Sequence, residues 1–156
     1  MKLFQIEEPD GSPAATGLPG AAIGIDASGA AAEAAIAVGG NAVVLRDRAE
    51  FAGILRVPAA SARVADWRAL FEGLRRRAER LLARPVTHAV VVLAASPAAA
   101  GATLRQAAAE AGIEILRMPT AAQLSGGDEP ALAAALLAEE LMPRPGTRRP
   151  DLAYFR

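Results

Sequence analysis

Cysteine is absent from this 156-residue chain, which excludes disulfides and thiolate metal sites. Histidine occurs once, so a multi-histidine metal centre within one chain is excluded as well. Aromatic residues make up only 4%. Net charge is also missing, because Lys plus Arg equals Asp plus Glu at 17 each. A neutral chain lacks the electrostatic footprint of a general nucleic-acid binder. No long apolar run is present: the most apolar stretch, Ala89–Ala95, is far too short to span a bilayer, and Pro97 and Gly101 follow it closely. Met1–Asp10 is polar and acidic, unlike the charged-then-apolar pattern of a signal peptide. The expectation is a cytoplasmic, bacterial-type protein with no membrane and no nucleic-acid partner.

What is there suits a globular domain: 53% of residues are apolar and 22% charged. Much of the apolar content is alanine, which predicts a lean core of closely approaching elements. Residues 1–20 read as an N-terminal segment, with a short strand at Leu3–Ile6 and a linker-like loop at Glu8–Gly20. Residues 21–142 read as one lobe. Residues 143–156 read as an irregular tail containing Pro143, Pro145 and Pro150.

Within the lobe, Ala22–Ala27 is apolar on both faces and predicts a central strand. Ala34–Val38 and Ala42–Arg46 flank Gly39-Gly40-Asn41 and predict a hairpin. Gly53–Val57 is a possible edge strand. Asp66–Ala83 is the clearest helix, with Trp67, Leu70, Phe71, Leu74, Ala78, Leu81 and Leu82 on one face. Asp66 is its expected N-cap, and Pro85 its stop. His88–Ala94 predicts a buried strand. Ser96-Pro97 predicts the start of a helix running to about Ala111, with Gly112 as its left-handed cap. Ile113–Met118 predicts the next strand, and Pro119–Leu124 a helix or turn. Asp128 is the expected cap of Glu129–Leu141, whose apolar residues include Leu132, Leu136, Leu137 and Leu141. The order βββαβαβα predicts an α/β, ribonuclease H-like mixed sheet with helices on both faces.

Three segments carry a resemblance: IGIDASGAAAEAAIAVGGNAVVLRD, LRRRAERLLARPVTHAVVVLAAS and AAAEAGIEILRMPTAAQLSGG. Together they resemble, in order and spacing, one lobe of the nucleotide-binding domain of the seventy-kilodalton heat-shock chaperones, in the actin-like ATPase superfamily. They include Gly24, Asp26, the Gly39-Gly40 turn and Pro119-Thr120-Ala121-Ala122. The resemblance implies ATP bound with magnesium between two lobes. The phosphate motif departs from the family, however. Where the family has Leu-Gly-Thr-Thr after its aspartate, this chain has Ala27, Ser28, Gly29 and Ala30. Where the family has a glutamate near the attacking water, Met118 stands here. The further lobe that carries the family's catalytic lysine corresponds to a short stretch without lysine. Phosphoryl transfer depends on several positioned charges, so the resemblance implies ancestry without catalysis.

Two function classes follow. The first is a degenerate, non-catalytic chaperone-ATPase-like lobe that acts by binding a protein partner. An uncovered face around Asp26 and Met118, and the tail residues Tyr154 and Phe155 beside arginines, are its candidate interfaces. A homodimer that rebuilds a two-lobed assembly is one form of it. The second is a nucleotide-binding protein or weak ATPase, with Asp26, Ser28 and Gly29 holding a magnesium nucleotide. No cofactor is expected under the first. A ribonuclease H-like nuclease is a lesser alternative. It needs further acids beside Asp26, for which Asp128 or Glu129 is available, and neutral charge counts against it. His88 reads as a satisfied strand residue, Arg75–Arg80 as a solvated helix face, and Gly126-Gly127 as a turn.

Overall fold

The computed structural model describes residues 20–45, 55–97, 100–124 and 129–143. Strand β1 spans Ala21–Ala27, β2 Glu33–Val38 and β3 Asn41–Val44. Helix α1 spans Val64–Leu82, β4 Val86–Leu93, α2 Gly101–Glu110, β5 Glu114–Arg117 and α3 Pro130–Leu141. A short 3-10 turn, Ala121–Gln123, lies between β5 and α3. The strands form one mixed sheet in the order β3-β2-β1-β4-β5. β1 pairs antiparallel with β2 and parallel with β4, and β4 pairs parallel with β5. Helices cover both faces, as the βββαβαβα order predicts. No helix among the described residues is long and apolar enough to cross a membrane.

The hairpin forms because Gly39 and Gly40 both take positive φ, 62° and 87°. That pair of angles makes the turn whose twist matches antiparallel strands. Asn41 belongs to β3, paired with Val38. Glu139 of α3 clasps the same turn, its carboxylate accepting the Gly39 and Gly40 amides at 2.6 and 3.1 Å. From the expected Gly53–Val57 strand, Arg56 makes one antiparallel bridge with Ala31; Gly53 and Ile54 lie outside the described residues.

The two faces of the sheet are packed differently. On one, Ile23, Ile25, Val91 and Leu93 meet Trp67, Leu70, Phe71, Leu74 and Ala78 of α1 and Leu104, Ala107 and Ala108 of α2. Trp67 and Phe71 pack in a tilted arrangement, ring centroids 6.2 Å apart. On the other, Ala131, Ala134, Ala135 and Ala138 of α3 lie against Ala22, Ala35, Ala37, Val90 and Val92. The leucines expected to face the core from α3 flank this alanine seam, and Leu136 is 41% exposed. The reason is proximity: a methyl group on Gly24 would stand 2.6 Å from the Ala134 carbonyl carbon. Only small residues allow backbones that close.

Four helix boundaries differ from expectation. α1 starts at Val64 with Arg63 as its extended N-cap, so Asp66 lies in the first turn instead of capping it. Its end is set by Ala83 in the left-handed region, φ 55°, before Pro85 is reached. Leu81, beyond the last buried position, is 42% exposed. Regular α2 starts at Gly101 and not at Pro97; the Pro97 carbonyl accepts the Ala100 and Gly101 amides. Gly112 takes φ 85° at the C-terminus of α2, as expected. The N-cap residue of α3 is Glu129 and not the expected Asp128, which lies outside the described residues, and Pro130 is its first helical residue, because proline is suited to the first helical position.

Candidate functional site

Parallel strands β1 and β4 end side by side, and crevices outside the carboxyl ends of such strands are the usual ligand sites of open α/β sheets. Side chains alternate along β1. Asp26 shares the α3 face with Ala22 and Gly24, while Ile25 and Ala27 face α1 and α2. The Asp26 carboxylate is engaged locally: Oδ1 accepts the Ser28 amide at 3.0 Å and the Ser28 hydroxyl at 2.5 Å. That turn closes the end of β1. Directly opposite Asp26 across the antiparallel ladder stands Glu33, an acid that no motif singled out. No group of three or more potential metal ligands occurs among the described residues.

A cleft of about 260 Å³ opens on the other side of the same strand ends. Ala27, Ser28 and Gly29 at the end of β1, Leu93 to Pro97 at the end of β4, Val57, Pro58 and Ala60 before α1, and Trp67, Ala100 and Leu104 line it. The described lining is uncharged throughout. Of the three candidate nucleotide residues, Ser28 and Gly29 border this cleft; Asp26 does not. The acid stands outside the lining, joined to it through Ser28.

The remaining candidates are placed as follows. Met118, expected on an uncovered face, is 8% exposed and packs in the main core beside Gly101. It shares the face of Ile113 and Ile115, because the register of β5 against β4 shifts between Ile115 and Arg117 and offsets the strict alternation. Pro119 and Thr120 extend β5 alongside β4, with the Pro119 carbonyl accepting the Leu93 amide at 2.9 Å. Gln123 Oε1 accepts the Thr120 amide at 2.9 Å and closes the 3-10 turn. His88 lies 3.4 Å from Glu114 and 2.7 Å from the Thr87 hydroxyl, the satisfied environment expected of it. On α1, Arg68 and Arg76 pair with Glu72, and Arg68 also with Glu110. Gly126, Gly127, Tyr154 and Phe155 lie outside the described residues.

Trp67, which periodicity places in the core, Ser96 and the Val57–Ala60 stretch also line the cleft. Helical periodicity marks Trp67 as buried, but it does not say that one edge of its ring borders a cleft. Val57 reaches the site through the short Ala31–Arg56 bridge, its amide donating to the Ala30 carbonyl at 2.9 Å while the Leu55 carbonyl accepts the Ala32 amide at 2.8 Å, a link without a sequence signature. The chain matches no known family model and no curated protein at a significant level.

Proposed function

We propose that this chain is a non-catalytic lobe, similar in ancestry to the chaperone ATPases, that acts by binding a partner protein. The uncharged lining of the crevice at the ends of β1 and β4 carries this reading. A polyphosphate needs cations or aligned amides to offset its charge. Among the described residues the cleft offers neither Lys nor Arg, and Asp26 stands outside its lining. The same lining suits an apolar surface of another protein.

Two measurements test the reading. Calorimetry with ATP or ADP and magnesium is expected to give no binding heat at millimolar nucleotide. Binding that disappears in Asp26→Ala would overturn the proposal in favour of a magnesium-nucleotide protein. Light scattering then identifies the kind of partner. A dimer mass at micromolar concentration names a second copy of the chain. A monomer mass, together with a companion recovered in stoichiometric amount from the native host, names a different protein.

A further inference from the structure

The two edges of the sheet are finished differently. At the β5 edge, Glu114 and Arg117 are exposed, and Arg105 of α2 donates from Nη1 to the Ile115 carbonyl at 2.9 Å. Charges and an occupied carbonyl discourage a further strand there. β3, at the other edge, reads Asn-Ala-Val-Val, without charge or proline. The Leu45 amide donates to the Ala34 carbonyl at 2.8 Å, so Leu45, Val43 and Asn41 hold the rungs that bond β2. The alternation of an antiparallel ladder then turns the amides and carbonyls of Ala42 and Val44 outward. No strand among the described residues pairs with them.

Apolar surface is open on both faces beside this edge. Val38 and Val43 share one face and are 65% and 59% exposed. On the other face Leu132 packs against Ala42 and Val44. Leu136, one turn later on the same flank of α3, is exposed. A strand laid along β3 would bond Ala42 and Val44 and cover apolar groups on both faces.

We propose that Leu3–Ile6, which lies outside the described residues, is that strand, pairing antiparallel with β3 as a sixth member of the sheet. Chain geometry argues for this occupant. Gly20, just before β1, lines one cavity with Val38 and Glu139, so the N-terminal segment joins the sheet at the hairpin-turn end. Residues 7–19 reach about 40 Å when extended, and a strand beyond β3 stands three strand spacings, about 15 Å, from β1. The internal segment 46–54 is a poorer occupant. It leaves β3 at Leu45 and returns to Leu55, whose carbonyl accepts the Ala32 amide at the far end of the hairpin. It is too short to turn, descend along all of β3 and climb back. A second copy would bury only a four-residue edge of each chain, far short of a standard interface. Leu3–Ile6 matches β3 in length, and alternation sets Phe4 and Ile6 together toward Leu136, Leu3 beside Val43 and Gln5 toward solvent. The added strand closes this edge whatever the chain binds elsewhere.

Amide hydrogen exchange of the full chain tests the assignment. Ala42 and Val44 are expected to exchange slowly, like the bonded Val43. Phe4→Pro combined with Gln5→Pro removes the donor in either phase of the added strand. It is expected to speed Ala42 and Val44 by about ten-fold or more and to leave Val43 unchanged. Fast exchange at Ala42 and Val44 in the parent chain would overturn the proposal. So would slow exchange that the double variant leaves in place; if that protection fades on dilution, a second copy holds the edge. Cross-linking decides the matter however the double variant folds. The chain has no cysteine, so introduced thiols report alone. Val43→Cys with Leu3→Cys or Gln5→Cys is expected to give a disulfide within the monomer under mild oxidation. Arg117→Cys, at the β5 edge, is expected to give none with the same partners. No intramolecular disulfide at Val43→Cys from either partner, or an equal yield at Arg117→Cys, removes the proposal.

Discussion

Gly24 illustrates how one residue carries two readings. In the sequence it belongs to an Ile-Gly-Ile-Asp strand that resembles a phosphate-binding opening. In the fold it is the point where helix α3 comes closest to the sheet, with room for a hydrogen atom only. Gly24→Ala is expected to destabilise the chain by about 1–3 kcal/mol through overpacking against backbone that cannot yield. Gly29→Ala, in open space, should stay within about 0.5 kcal/mol; urea denaturation of the pair tests the contrast. The position of Asp26 at a strand end was legible, because an apolar run followed by small polar residues marks such an end. Which face its carboxylate takes was not, since a one-residue shift in register reverses it. Met118 shows the same limit: its place in the chain was clear, its inward direction was not.

At the scale of elements, periodicity located α1 because seven apolar residues recur on one face, and five of them are buried: Trp67, Leu70, Phe71, Leu74 and Ala78; Leu81 is exposed and Leu82 half-buried at the helix end. It misled for α3, where leucines suggest one face and the packed face is alanine. Hydrophobicity ranks leucine above alanine, but the distance between helix and sheet decides which fits, and that distance is a tertiary quantity. The Glu139 clasp on the Gly39-Gly40 turn was equally invisible, as it joins residues a hundred positions apart. Glu139→Ala should cost about 1 kcal/mol, the net worth of ordinary hydrogen bonds at a half-exposed site. It should also speed amide exchange at Gly39 and Gly40 selectively. Uniform acceleration across the chain would show instead that the clasp supports the whole fold.

On the scale of the whole molecule, the two helical layers pack on opposite faces of the central strands β1 and β4. Ile23 and Ile25 pack beneath α1 and α2, while their neighbours Ala22 and Gly24 lie beneath α3. Loss of either layer exposes the other's support. Unfolding followed by Trp67 fluorescence, which reports the α1 face, should therefore coincide with unfolding followed by far-ultraviolet circular dichroism. Separate midpoints would mean that α3 detaches by itself. The strand order that the sequence implied was recovered because short turns enforce antiparallel neighbours and helical crossovers enforce parallel ones. The pairing of β1 with β4 has a consequence in time. Its seven register partners, from Ala21–Val86 to Ala27–Leu93, join segments separated by the hairpin and all of α1. The hairpin can assemble from neighbours within microseconds, but the centre of the sheet must wait for a long loop to close. A nascent chain that ends before Val86 would thus hold β1 with one edge unpaired, and completion of β4 is the event that commits the molecule to its fold.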